Sequence, residues 1–342
     1  MNTLLRKIVD TVTGEHSDTM SDASSDMQKV LDELQSMGGK PIETLDVTAA
    51  RAQPTPTDAV MSLLRKDGKD TSPTALVPGV TSVDRQIQGA AGLLPARIYT
   101  PKGDGPFPVV VYFHGGGWVI ADKDVYDGGA RGLCSIAEAI VISVDYRRSP
   151  EAKFPAAWED AFAAYKWAVA NAPSLNGDPA RLAIAGESAG GNLAIATAIA
   201  ARDGTVEKPL AILAVYPVGQ TGNMETESYR DSANAKPLNK AMIGWFVDKL
   251  LAKPADKADP RIDLVNANLA GLPPVFLINA EICPLRSDGE MLETALKEAG
   301  VDVTRKLYLG VTHEFFGMAA VVSKAKDAQE YAGKELKKAL EQ

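Results

Sequence analysis

A serine flanked by glycines lies where an apolar segment meets an alanine-rich one. Residues 182–185 read Leu-Ala-Ile-Ala, and residues 186–190 read Gly-Glu-Ser-Ala-Gly with Ser188 at the centre. This context predicts a buried strand, a sharp turn and a helix, and the small neighbours let the turn push the serine hydroxyl out of the sheet. The start of the helix favours negative charge nearby. The pattern indicates a nucleophilic serine; the alternative is a glycine-rich turn with a plain surface serine.

Three successive glycines follow an apolar run earlier in the chain. Residues 114–118 read His-Gly-Gly-Gly-Trp, directly after an apolar run at 109–113. Because glycine lacks Cβ, these main-chain N–H groups can approach a ligand closely. Such donors stabilise the oxyanion of a tetrahedral intermediate by about 3 to 4 kcal/mol each. A phosphate-binding loop is the alternative, but the run lacks dinucleotide or P-loop spacing. We therefore predict an oxyanion hole.

A nucleophilic serine needs a base, and histidine has the pKa nearest neutrality. The chain has three histidines. His16 lies in a polar N-terminal segment and His114 belongs to the glycine run, which leaves His313. In the order typical of this chemistry the histidine comes last, in a loop after the final strand. His313 is therefore the predicted base, with a purely structural histidine as the alternative.

The elements that position these residues alternate from residue 96 onward. Short β-rich runs separated by helical patterns are typical of βαβ units and predict an α/β fold with a mostly parallel sheet flanked by helices. Helices are expected at 155–172 and 288–299. The predicted strands are 96–99, 109–113, 140–145, 182–185, 210–215, 275–278 and 305–308.

Two segments fall outside this alternation. Residues 1–90 are polar with two amphipathic stretches, one at 57–66 and one whose helical face carries Met27, Val30, Leu31, Leu34 and Met37. We expect an N-terminal arm, either packed on the core or acting as a lid. Residues 219–272 contain a helical stretch at 238–251 and are too long for a plain crossover. We expect this insertion to form a helical cap with the arm, leaving 91–218 and 273–342 as the catalytic domain.

Composition excludes several functions. The net charge of −8 and the absence of a dense Lys/Arg cluster argue against nucleic-acid binding. Two cysteines without a CxxC pair argue against a disulfide framework or a zinc site, and they favour a reducing compartment. Residues 1–10 lack the pattern of a secretory signal, and no apolar run is long enough to span a bilayer. We expect a cytoplasmic protein with no metal and no organic cofactor.

Beyond the three motifs, the chain resembles the bacterial hormone-sensitive-lipase family of α/β-hydrolases from about residue 96 onward. The family's D-Y-R-L-A-P-E and F-P-A-A stretch is matched except at Arg148 and Ser149, and its Leu-Pro-Pro is matched at 272–274. The resemblance implies the α/β-hydrolase fold, a cap, and an oxyanion hole formed by the N–H groups of Gly116, Gly117 and Ala189.

One residue departs from the family pattern where it matters most. The family has D-P-L-R after a late strand, whereas this chain has Cys283-Pro-Leu-Arg, with a thiol at the triad-acid position. A thiol is mostly neutral at pH 7 and hydrogen-bonds weakly, so it would neither fix the His313 tautomer nor stabilise imidazolium. Three explanations compete: a substituted triad acid, a stand-in carboxylate from Asp288 or Glu281, and an enzyme that has lost its activity. Asp288 is also expected to cap the following helix.

These residues predict a serine carboxylesterase that acts through an acyl-enzyme, with activity lowered by Cys283, and the family resemblance implies esters with short to medium acyl chains. One rival is a ligand-binding protein on the same fold, because a catalytic constellation can decay while its pocket stays. The other is an amidase, which uses the same oxyanion. The expected partner is a small ester, and a homodimer is left open.

Overall fold

A single eight-stranded sheet organises the chain in the computed structural model, which describes residues 22–341. The strands are β1 Val80–Gln88, β2 Leu93–Pro101, β3 Phe107–Phe113, β4 Ile140–Val144, β5 Gly177–Glu187, β6 Ala211–Val215, β7 Val275–Ile282 and β8 Val303–Thr312. Their order is β1-β2-β4-β3-β5-β6-β7-β8. β2 pairs antiparallel with β1 and β4, and all other neighbours are parallel. The predicted α/β fold with a mostly parallel sheet is confirmed.

All seven predicted strands are present, with ends that differ by up to five residues. The central strands β3, β4 and β6 are buried almost throughout, which explains their continuous apolar sequences. Strand β1 was not predicted, and it lies in the segment that the sequence assigned to the arm. Seven of its nine residues are exposed, so this edge strand carries no apolar run that would reveal it.

Helices cover both faces of the sheet and build the arm and the insertion. They are α1 Ser25–Ser36, α2 Val47–Arg51, α3 Pro56–Lys66, α4 Pro73–Leu76, α5 Asp127–Ala137, α6 Ala156–Asn171, α7 Ala189–Asp203, α8 Glu227–Asp231, α9 Lys240–Leu250, α10 Arg286–Glu298 and α11 Ser323–Leu340. The helices predicted at 155–172 and 288–299 are α6 and α10. The expectation that Asp288 caps α10 is wrong, because Leu285 holds that position and Asp288 is the third residue of the helix.

The arm contacts both the core and the insertion. Met27 and Val30 on α1 are fully buried, as their helical spacing predicted. Arg51 at the end of α2 donates to the carbonyl of Val119 and pairs with Glu151 on the core side. On the other side, the indole N–H of Trp245 in α9 donates to the carbonyl of Leu45. The arm therefore bridges the catalytic domain and the insertion.

The described chain has neither a membrane-crossing helix nor a cluster of metal-binding side chains. None of the helices in residues 22–341 has the length and apolar character needed to cross a membrane. In the same residues, no three His, Cys, Asp or Glu side chains cluster in a way that suits a metal ion. The predictions for residues 1–10 and His16 concern a segment outside the described residues.

Candidate active site

Ser188 stands on the turn between β5 and α7. Its backbone has φ 57° and ψ −118°, a left-handed conformation that costs free energy for a residue with a side chain. The small neighbours make this turn sterically possible, because a Cβ atom on Gly190 would overlap the carbonyl oxygen of Phe113. The same holds for Gly186, whose Cβ would overlap the carbonyl of Gly190. The strand-turn-helix predicted from the sequence is therefore present.

Alanine substitutions at two helical glycines, Gly190 in this turn and Gly244 in α9, test how tightly the turn is packed. We expect Gly190→Ala to lower the free energy of unfolding by about 3 kcal/mol, because the new methyl group overlaps the main chain of β3. Gly244 in α9 has no atom within 4 Å of its Cβ position, so Gly244→Ala should instead stabilise the protein by up to about 1 kcal/mol. Urea unfolding of both variants measures the difference. Equal effects of the two substitutions would contradict the assigned packing.

Ser188, His313 and Cys283 form one continuous chain of contacts at the carboxyl ends of β5, β8 and β7. Ser188 Oγ lies 2.9 Å from His313 Nε2, and His313 Nδ1 lies 3.2 Å from Cys283 Sγ. The N–H of Leu285 donates to the same sulfur at 3.4 Å. The structure thus brings together the predicted serine, the predicted histidine and the thiol at the triad-acid position.

Burial keeps both members of the His313–Cys283 pair neutral. Loss of solvation lowers the pKa of His313 to about 3 and raises the pKa of the Cys283 thiol to about 12. Among residues 22–341, no carboxylate hydrogen-bonds to the imidazole to hold a proton on it. The ring can therefore accept the serine proton, but the resulting imidazolium receives no ionic stabilisation from its Nδ1 partner.

The two carboxylates considered as stand-ins are engaged elsewhere. Asp288 is fully buried, and its carboxylate accepts from the N–H groups of Gly219 and Gln220; burial raises its pKa to about 7. Glu281 accepts from the N–H of Gly310 at 2.7 Å, which ties the ends of β7 and β8 together. Among the described residues, neither side chain hydrogen-bonds to His313.

The glycine loop borders the same cavity as the serine. Gly116 and Gly117 have φ of 93° and 59°, and Cβ atoms there would overlap the Ile120 carbonyl and the Phe246 ring, respectively. Within residues 22–341, no main-chain carbonyl accepts from their N–H groups. Gly116, Gly117, Ser188 and His313 line a cavity of about 30 Å³, and Ala189 begins the helix directly after the serine. This arrangement provides unpaired donors close to the serine hydroxyl.

His114, by contrast, takes no part in the cavity. Its ring is buried and stacks on Tyr146 with centroids 4.3 Å apart. The Tyr146 hydroxyl donates to the carbonyl of His114 at 2.9 Å and so fixes the start of the glycine loop. His114 therefore supports the loop from behind.

A buried carboxyl–tyrosine group beside the site escaped the sequence analysis. The Glu187 carboxyl accepts hydrogen bonds from the hydroxyls of Tyr112 and Tyr216. Burial raises the pKa of Glu187 to about 7. The Tyr216 ring lies 4.5 Å from the His313 ring, centroid to centroid, so this group packs against the histidine. The only signal in the sequence was that a charged residue, Glu187, lies inside a turn that must itself be buried.

A second cavity of about 340 Å³, here called the cap chamber, lies between the arm and the insertion. It is bordered by Ile42 and Glu43 from the arm, by Pro237 and Leu238 from the insertion, and by Glu314 beside His313. Leu238, Met242 and Glu314 also line the catalytic cavity, so the two spaces adjoin.

Comparisons with known proteins identify the fold and the family of the chain. The α/β-hydrolase fold family matches residues 110–317. The carboxylesterase NlhH of Mycobacterium tuberculosis is 37% identical over 276 residues, which is 79% of this chain and 86% of that protein. An ethyl acetate hydrolase of Pseudomonas putida is 33% identical over 238 residues, or 68% of this chain and 74% of that protein.

Solved structures show the same relationship. An esterase of Pyrobaculum calidifontis superposes with a TM-score of 0.79 at 32% identity and covers 90% of this chain and 96% of its own. A thermostable esterase of Pseudomonas putida gives a TM-score of 0.83 at 30% identity, with 94% and 98% covered. The chain therefore belongs to the hormone-sensitive-lipase family of α/β-hydrolases.

Proposed function

We propose that this protein is a serine carboxylesterase whose nucleophile is Ser188. The observation that carries the proposal is the 2.9 Å contact between Ser188 Oγ and His313 Nε2, on a turn that exposes the hydroxyl to a cavity. Relatives named carboxylesterase and ethyl acetate hydrolase support an ester as the substrate.

The proposed reaction has two halves. Ser188 Oγ bonds to the ester carbonyl carbon while its proton moves to His313 Nε2. The N–H groups of Gly116, Gly117 and Ala189 stabilise the oxyanion. When the intermediate collapses, the C–O bond to the alcohol breaks and the alcohol takes the proton from Nε2. Water then attacks the acyl-enzyme with His313 as base, and the acid leaves as Ser188 regains its proton.

Cys283 lowers the rate of both halves in this proposal. Each transition state places a positive charge on His313, and a neutral thiol at Nδ1 stabilises that charge far less than a carboxylate does. The thiol still contacts the ring and thereby helps to orient it. We therefore propose slow turnover rather than none.

The described part of the arm that precedes β1 (residues 22–79) and the insertion (residues 219–272) together form the proposed cap, because β1 itself belongs to the main sheet. Met242 and Phe246 of α9 line the catalytic cavity, which supports a role of the insertion in choosing the acyl group. The proposed substrates are esters with short to medium acyl chains.

A panel of fluorogenic esters with acyl chains of two to eight carbons, each paired with the corresponding amide, tests the proposal. We expect slow hydrolysis of the shortest esters and at least tenfold slower hydrolysis of the amides. Faster amide cleavage would identify an amidase. Binding of the esters without any turnover would identify a ligand-binding protein on the same fold.

A further inference from the structure

Glu187 carries a buried carboxyl group immediately before the nucleophile. The residue ends β5 and is 1% exposed. Its Oε1 accepts from the hydroxyl of Tyr112 on β3, and its Oε2 accepts from the hydroxyl of Tyr216 just after β6. Among residues 22–341, no lysine, arginine or histidine forms an ion pair with this carboxyl group. A carboxyl group buried without a cation costs free energy, and such groups cluster at functional sites.

Tyr216 connects this carboxyl group to the catalytic histidine. Its ring is fully buried, and the ring centroid lies 4.5 Å from that of His313, with the two planes tilted by 51°. Its backbone has φ 35°, a left-handed conformation that costs a residue with a side chain about 1 to 3 kcal/mol. The main-chain N–H donates to the carbonyl of Ile278 on β7, and the hydroxyl donates to Glu187. Both ends of the tyrosine are therefore fixed while its ring packs against the imidazole.

The orientation of His313 depends on this packing because its partner at Nδ1 is weak. Cys283 Sγ lies 3.2 Å from Nδ1, and a thiol forms only weak hydrogen bonds. In a triad with an acid, a buried carboxylate at this place holds the imidazole in the correct orientation. With a thiol there instead, the Tyr216 ring supplies a larger share of that orientation.

The same contact bears on the transition state. Misplacement of a catalytic group by about 1 Å can lower a rate by about 10²-fold, so the orientation of the base affects the rate directly. An aromatic face also attracts a cation within about 6 Å of its centroid. The Tyr216 ring lies within that range of the imidazolium that forms on His313. By holding the hydroxyl of this tyrosine, Glu187 influences both effects.

We propose that Glu187 is a positioning residue that acts through Tyr216 to hold His313 in the orientation that the reaction requires. The inference rests on the proposed esterase function for the role of His313. Glu187 does not line the catalytic cavity, so its effect reaches the reaction only through the tyrosine. It follows that Glu187 matters most while residue 283 is a cysteine, and matters little once an aspartate orients the imidazole.

Glu187→Gln and Tyr216→Phe, each made in the parent and in Cys283→Asp, test this dependence. Glutamine keeps the shape of the side chain without its charge, and phenylalanine keeps the ring without the hydroxyl. Kinetics are measured at pH 8, because burial raises the pKa of Glu187 to about 7. In the parent we expect each substitution to lower kcat for a short ester by about tenfold or more, with KM changed by less than about twofold. In Cys283→Asp each should lower kcat by less than about threefold, because the new carboxylate orients the imidazole.

Tyr165→Phe is the matched control for the loss of a buried hydroxyl. Tyr165 is a fully buried residue of α6 that borders neither cavity, and its hydroxyl donates to the carbonyl of Glu207 at 2.8 Å. Its substitution should lower the urea-unfolding midpoint and leave kcat unchanged in both proteins. Equal losses of kcat from Glu187→Gln in the parent and in Cys283→Asp, or a loss confined to KM, would overturn the positioning role.

The rate at which an organophosphate labels Ser188 separates this proposal from the proposed function, because labelling needs an activated hydroxyl but no ester. If the parent hydrolysed no ester, and Glu187→Gln and Tyr216→Phe were labelled more slowly than the parent, the esterase function would be wrong and the positioning role supported. If the parent hydrolysed esters and neither substitution slowed labelling, the positioning role would be wrong and the function would stand.

Discussion

Cys283→Asp is expected to raise kcat for a short ester by about 10²- to 10⁴-fold, because the reverse loss of a triad carboxylate in another serine hydrolase costs about 10⁴. The Sγ atom already lies 3.2 Å from His313 Nδ1, and the N–H of Leu285 points at the same atom. An aspartate carboxylate there would accept from both groups and stabilise the imidazolium. Steady-state kinetics of the two proteins on the same ester measures the gain.

The pH dependence of ester hydrolysis gives a second test of Cys283→Asp, because a merely structural effect of the substitution would not change it. Burial lowers the pKa of His313 to about 3 in the parent protein, so the ring stays in its basic form down to strongly acidic pH. A carboxylate at position 283 favours the protonated ring and raises the pKa of His313. The activity of Cys283→Asp should therefore decline as pH falls through a higher value than in the parent.

Two further substitutions at position 283 are the matched controls. Cys283→Asn has the shape of aspartate without its charge, and Cys283→Ser keeps a small neutral group. Neither should raise kcat by more than about threefold, because neither carries the negative charge that stabilises imidazolium. If Cys283→Asp and the parent had the same activity, a compensating acid would have to exist, and the single replacements Asp288→Asn and Glu281→Gln would locate it.

The parts of the site that could be predicted from the sequence are those that a short run of residues defines. Ser188 and the Gly116–Gly117 pair stand in motifs next to apolar strands, and the carboxyl ends of parallel strands meet at one edge of a sheet. His313 follows from the same rule, since it comes directly after β8. The contact of Cys283 with His313 was likewise implied by its place after β7.

The parts that could not be predicted depend on contacts between distant segments. Asp288 looked like a helix cap, yet its carboxylate binds the main chain of the loop at 219–220, which no local pattern reveals. Glu187 was assigned no role from the sequence, and its burial is explained only by Tyr112 of β3 and Tyr216 just after β6, whose hydroxyls donate to its carboxyl group.

Ser188→Ala is expected to abolish measurable ester hydrolysis, and the size of the loss should depend on residue 283. In another serine hydrolase the nucleophile alone is worth about 10⁶ in kcat, and its effect is far from additive with that of the base and the acid. In the Cys283→Asp protein we therefore expect Ser188→Ala to lower kcat by about 10⁵- to 10⁶-fold. In the parent the expected drop is about 10²- to 10⁴-fold, because the missing acid has already removed part of the same stabilisation.

Covalent labelling separates loss of the nucleophile from loss of the fold. A serine-directed organophosphate should attach to Ser188 in the parent and, faster, in Cys283→Asp, because the activated hydroxyl attacks phosphorus as it attacks a carbonyl. Mass spectrometry of the digested protein locates the label, and Ser188→Ala, with an unchanged urea-unfolding midpoint, should remain unlabelled. Two results would contradict the mechanism. The parent could hydrolyse a short ester while Ser188 carries no label, or Ser188→Ala could keep the parent's rate. Either result would show that another residue is the nucleophile.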